Sequence, residues 1–103
     1  MKKTIERIVA YTVQVAEPDM IILFGSMANH TYNAYSDIDL LIVVSENITK
    51  GQIASQVKYF AQDFSISADI LVYSKYDIKE AMEFPHSFIA GVLKSGKIIY
   101  KKH

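Results

Sequence analysis

The stretch Asp37-Ile38-Asp39-Leu40-Leu41-Ile42-Val43-Val44 restricts the fold more than any other part of the chain. After its two acids it is apolar without interruption, so it has no polar face to offer to water. It is also short and rich in β-branched residues, which favours a strand over a buried helix. It therefore reads as a central strand covered on both faces. Such a strand needs neighbours. Met20 to Phe24 is a second short run, rich in isoleucine and ending at Gly25-Ser26, and Ile66 to Tyr73 is a third. Between the strands at Asp37 and Ile66, the residues Ile53, Val57, Phe60 and Ala61 make an apolar stripe at helical spacing down to Phe64, with Asn47 or Thr49 available as its cap. Strand, helix, strand in this order is a βαβ unit. The two strands are thus expected to lie parallel and close in one sheet, joined by a right-handed crossover.

Ile5, Ile8, Val9, Thr12 and Val15 recur at helical spacing between Lys3 and Ala16, and Pro18-Asp19 marks the stop of this first amphipathic helix. Met27 to Ser36 is polar and turn-prone, with room for one or two turns of helix. After the third strand come a short helix near Tyr76 to Met82, a Phe84-Pro85 break, a helix near His86 to Lys94 and a strand Lys97 to Tyr100 led by Gly96. The segment Phe84 to Val92 reads mostly as core, with a part left for a partner interface. Alternating strands and helices predict an α/β (α+β) fold, a small mixed sheet flanked by helices.

The chain has 103 residues, half of them hydrophobic, which gives room for a single domain over 1–103 that buries roughly 60–70% of its unfolded surface in one core. Cysteine is absent, which excludes disulfides, thiolate metal sites and cysteine nucleophiles and agrees with a reducing, cytoplasmic setting. Lys2, Lys3, Glu6 and Arg7 interrupt the N-terminal segment, so neither a secretory leader nor a membrane span is expected there. Eleven basic residues balance eleven acidic ones, whereas a protein that binds nucleic acid unaided normally carries a basic excess. The expected partner is a small molecule or another protein.

The chemistry gathers at the strand starts. Asp37 and Asp39 are alternate residues of a strand, so their carboxylates project to one face about 7 Å apart along the chain. Like charges so placed repel unless cations neutralise them, and hard divalent ions such as Mg²⁺ prefer such oxygen donors. Asp69 interrupts the run Ile66 to Val72 near the start of the third strand. If the two parallel strands start level, it lies beside Asp37 and Asp39, with Asp63 as the rival third acid. Three converging carboxylates can hold two metal ions about 3.5–4 Å apart for an in-line phosphoryl displacement. Gly25-Ser26, a turn entering a helix, would offer backbone N–H groups, a hydroxyl and a helix dipole to a polyphosphate. Together the two halves describe a nucleoside triphosphate site. His30 and His86 are isolated and read as surface or packing residues. Tyr32 and Tyr35 read as packing the loop, with a stacked nucleobase as the alternative.

Gly25-Ser26, ten residues, then Asp37-x-Asp39 is a G-S-x10-D-x-D signature, a coincidence expected in roughly one chain in a thousand of this length. With the leading helix, Asp69 and the C-terminal Gly-Lys-x-x-Tyr strand, the chain resembles the minimal nucleotidyltransferase (MNT) domains of the DNA polymerase β-like superfamily over nearly its whole length. The resemblance implies that Gly25 and Ser26 bind the nucleotide phosphates. It also implies that Asp37 and Asp39 bind two Mg²⁺ ions, and that Asp69 binds one of them and activates the acceptor hydroxyl. It implies transfer of a nucleoside monophosphate, AMP from ATP, with release of pyrophosphate. Larger superfamily members carry an acceptor-binding domain for which this chain leaves no room, so the acceptor is expected on another chain. In the MNT family that partner is a small HEPN-domain protein, the pair resembling a toxin and its antitoxin, and the modified group is a HEPN tyrosine. Many relatives have a G-S-R-A-R-G-like run, whereas this chain reads Gly25-Ser26-Met27-Ala28-Asn29-His30. The missing cations favour an alternative, a non-catalytic module that blocks a HEPN ribonuclease by occlusion.

Overall fold

The structure is a computed structural model and describes residues 2–25, 37–45 and 49–102. In chain order the elements are α1 (Lys2–Ala16), β1 (Met20–Phe24), β2 (Ile38–Val44), α2 (Lys50–Gln62), β3 (Ala68–Ser74), α3 (Lys75–Ala81), α4 (Phe88–Ser95) and β4 (Lys97–Lys101). The four strands form one mixed sheet in the order β3-β2-β1-β4. β2 and β3 run parallel, as the βαβ reading requires, while β1 is antiparallel to both β2 and β4.

β2 is internal and buried on both faces. Ile38, Leu40, Ile42 and Val44 join Ile21 and Leu23 of β1 against Ile8 of α1 and Ile53, Val57 and Ala61 of α2. Leu41 and Val43 point the other way and pack with Ile22, Ile89 and Val92 beneath α4. Each such side chain contributes about 1.5–3 kcal/mol by leaving water, which explains why an uninterrupted apolar run sits at the sheet centre. The helical stripe of α1 is used in part: Ile8 is fully buried, Ile5 and Val9 are partly buried and Val15 is 40% exposed, while the one polar member, Thr12, is fully buried with its hydroxyl donating to the Ile8 carbonyl at 2.8 Å.

Element ends follow caps more closely than hydrophobic pattern. The helix expected from His86 begins at Phe88, because the Ser87 hydroxyl accepts from the Ala90 N–H at 3.1 Å. α4 then turns directly into β4 through Gly96, where a Cβ would stand 2.5 Å from Ile22 Cγ2 and 2.6 Å from the Val92 carbonyl. The expected Thr49 cap of α2 does not form. Thr49 is left-handed (φ 45°, ψ 36°) and its side chain makes no cap hydrogen bond, whereas a capping hydroxyl needs an extended backbone at that position. Asn47, the other expected cap, and the turn-prone segment Met27 to Ser36 lie outside the described residues. Among the described residues no helix is long and apolar enough to cross a membrane.

Candidate active site

The strand register assembles the acids. Across the parallel β2–β3 pair Asp39 is the partner of Asp69, and across the antiparallel β1–β2 pair Phe24 is the partner of Asp39. Partners in register project to the same face of a sheet, so Asp69, Asp39 and Phe24 form a row across three strands. Asp37 lies two residues before Asp39 and therefore comes to the same face. Pairing to β3 already exists at this point, since the Ile38 N–H donates to the Ser67 carbonyl at 3.0 Å. The row is at the end of the sheet where β2 and β3 begin and β1 finishes.

Gly25 follows Phe24 directly and takes φ 74°, a left-handed conformation that glycine adopts without strain. A Cβ at this position would collide with Asp39 Oδ2. The glycine of the turn and the second acid of the motif are thus packed against each other, and only the absence of a side chain allows it.

Asp37 and Asp69 are exposed and Asp39 is half-buried. The Asp39 carboxyl is held above its ordinary pKa, chiefly by burial and then by the charges of Asp69 and Asp37. The charges of both Asp69 and Asp37 therefore reach the Asp39 carboxyl. The donor set is carboxylate oxygen throughout, which suits a hard divalent cation. Among the described residues, however, no group of three or more His, Asp or Glu side chains is drawn together closely enough to hold a metal ion. The fit to Mg²⁺ is one of donor chemistry, with Asp39 and Asp69 paired across the strands and Asp37 exposed just before β2.

The remaining sequence candidates distribute as follows. Ser26, His30, Tyr32 and Tyr35 lie outside the described residues. Asp63 is the C-cap of α2, off the sheet, and His86 is exposed between α3 and α4. A groove of about 490 Å³ lined by Val44, Ser45, Gln52 and Gln56 lies at the far end of β2 from the acids and holds none of them. The segment Phe84 to Val92, read as mostly core with a part left for a partner interface, divides: Ile89 and Val92 are buried, while Phe84 and Phe88 are 65% and 64% exposed. Phe88 meets Phe24 edge-on, with ring centroids 5.9 Å apart and planes at 80°. Sequence reading missed this pair, since an exposed phenylalanine at a helix start carries no local mark that separates it from a core residue.

The sequence profile of the polymerase beta nucleotidyltransferase family matches residues 6–103. The chain belongs to that family and is a nucleotidyltransferase by membership. Solved structures share the fold. A toxin–antitoxin structure with AMP-PNP superposes with a TM-score of 0.60 at 21% identity, over 95% of this chain and 74% of that one. A Sulfolobus solfataricus protein assigned as a nucleotidyltransferase gives 0.59 at 19% identity, over 97% and 79%. The MntA–HepT toxin–antitoxin structure gives 0.57 at 17% identity, over 99% and 74%. A search of curated proteins produced no match.

Proposed function

We propose that this nucleotidyltransferase, as one domain over 1–103, is a Mg²⁺-dependent enzyme that transfers AMP from ATP to a hydroxyl of a partner protein, a tyrosine of a HEPN-domain toxin, and so acts as a cytoplasmic antitoxin. The observation that carries the reading is the in-register pairing of Asp39 with Asp69 directly against the Gly25 turn. The resemblance supplies the HEPN tyrosine, and the toxin–antitoxin neighbours, one of them with AMP-PNP, support the pairing and the nucleotide.

In this reading Asp37, Asp39 and Asp69 hold the metal, and the backbone of Gly25 with Ser26 holds the β and γ phosphates. Asp69, exposed on the outer strand, takes the proton of the acceptor hydroxyl. The acceptor oxygen then bonds to the α phosphorus, the bond from that phosphorus to the bridging oxygen breaks, and pyrophosphate leaves. Two Mg²⁺ ions, when bound, would stabilise the charge on the attacking and leaving oxygens.

The test is incubation of the chain with its co-purifying partner, Mg²⁺ and ATP labelled at the α phosphate. Label on the partner that disappears with Asp39→Asn and Asp69→Asn supports transfer. The loss of basic residues at Met27 and Asn29 favours a second reading, neutralisation by occlusion alone. Under that reading no label is transferred and the Asp39→Asn chain still silences the toxin.

A further inference from the structure

The two outer strands of the sheet differ in how they are guarded. β4 carries exposed lysines at both ends, Lys97 and Lys101, and its register with β1 shifts between Ile21 and Ile22. Charge and irregularity of this kind keep a further strand from adding to an edge. β3 has neither a lysine nor a shift. It pairs with β2 in unbroken register from Ala68 to Ser74, and after Asp69 it reads Ile70-Leu71-Val72-Tyr73. These four pack against the two cores yet stay partly exposed, whereas Leu40, Leu41 and Ile42, the β2 partners of the first three, are fully buried. The β2 pairing also fixes which backbone groups of β3 face out. The Ile38 N–H donates to the Ser67 carbonyl, so by alternation Asp69, Leu71 and Tyr73 turn theirs toward β2, while Ala68, Ile70 and Val72 turn theirs outward. The next outward donor, the Ser74 N–H, is taken by the Asp77 carboxylate at 2.9 Å, which ends the free edge where α3 begins.

We infer that β3 pairs antiparallel with β3 of a second copy of this chain, about a two-fold axis at Leu71, and so joins two sheets into one. A two-fold axis normal to the sheet keeps each side chain on its own face, so only residues of like parity can oppose each other and few registers exist. Centred on Leu71, the pairing sets Leu71 against Leu71 of the second copy, Ile70 against Val72 and Asp69 against Tyr73. Ile70 and Val72 then exchange hydrogen bonds through their outward groups. Charge selects this register. It leaves the two Asp69 residues four positions apart, about 14 Å along the strands. Centred on Ile70, the pairing would press each Asp69 against an apolar Leu71 and bring the two acids onto a diagonal of about 7–8 Å. Centred on Val72, it would oppose Asp69 to Lys75, which already belongs to α3. As wholes the two copies do not repel, since eleven basic residues balance eleven acidic ones. In the dimer Tyr73 of the second copy stands beside Asp69, so each acid row is bordered by a residue of the other chain. The pairing holds whether or not the acid row transfers nucleotides.

Light scattering of the full chain should give twice the 11.7 kDa mass of one copy. Val72→Pro removes an outward donor and no bond to β2, so it should halve that mass while circular dichroism stays native. The chain contains no cysteine, which lets single thiols read the register without disturbing the pairing. Leu71→Cys should cross-link to itself on oxidation, because a non-hydrogen-bonded antiparallel pair holds its Cα atoms about 4.5 Å apart, within disulfide reach. Ile70→Cys and Val72→Cys should cross-link to each other when mixed, and neither to itself, since like residues there lie on a diagonal of about 7–8 Å, too far for a bridge. A chain that is monomeric at every concentration up to its solubility overturns the proposal, and so does one that acquires a partner only from a different protein. A dimer that survives Val72→Pro and leaves Leu71→Cys unlinked pairs elsewhere, which also overturns it. Self-linking of Ile70→Cys without that of Leu71→Cys overturns the register.

Discussion

An alanine at position 25 would have to hold φ near 74° and would drive its Cβ into the Asp39 carboxylate. The backbone conformation alone costs an L-residue about 1–2 kcal/mol, and displacing Asp39 adds to it. Gly25→Ala is therefore expected to lose more than that in urea unfolding and to lose nucleotide binding with it. An alanine variant of unchanged stability would mean that the turn is free to move. Asp39 itself behaves in the opposite way. Its charge is disfavoured by burial and by two neighbouring acids, so removing the charge relieves the metal-free protein. Asp39→Asn should be at least as stable as wild type while transfer is abolished. Label transfer by that variant would exclude Asp39 from the chemistry.

At the scale of elements, α3 is the one whose ends matter most, because its seven residues contribute no fully buried side chain. Its start is a reciprocal cap: the Ser74 hydroxyl accepts from Asp77 N–H at 3.0 Å, and Asp77 Oδ2 accepts from Ser74 N–H at 2.9 Å. Lys50 adds an ion pair to the same carboxylate at 2.6 Å, tying α2 to α3. Ser74→Ala should cost about 0.5–2 kcal/mol in unfolding and speed hydrogen exchange at Asp77; exchange unchanged at that amide would deny the cap. Elements were legible in the sequence wherever hydrophobic period defined them, as in α1, β1 and β2. Their ends were less so, since Thr49 has a capping side chain but the wrong backbone, and Ser87 moves a helix start by two residues. The nearness of Asp39 and Asp69 was legible because a βαβ unit makes its strands parallel and both acids stand close to a strand start. The place of β1 between β2 and β4 was not, because antiparallel pairing across long separations leaves no local pattern. Phe88 was hidden for a related reason: within Phe88-Ile89-Ala90-Gly91-Val92, only the packing of α4 decides which apolar residue is left outside.

For the molecule as a whole, two carboxylates shifted in opposite directions separate loss of activity from loss of fold on acidification. Asp39 has a folded-state pKa above its ordinary value, so as pH falls the native state takes up this proton before the unfolded chain does. That uptake favours the native state, and it removes the charge a cation needs. Asp77 has a folded-state pKa below its ordinary value, chiefly through the Lys50 hydrogen bond and next through the Ser74 N–H. Its stabilisation is complete above the ordinary aspartate pKa and is lost only as pH falls through the depressed one. Acid titration at limiting Mg²⁺ should therefore show transfer declining first, as Asp39 takes up its proton before Asp77 does, while circular dichroism of the same sample stays native. The helical signal should decline later. Asp77→Asn should remove part of that late, acid-induced loss and leave the activity midpoint where it was. If fold and activity fall together, or if Asp77→Asn moves the activity curve, the site and the α2–α3 tie are one cooperative unit and the separation fails.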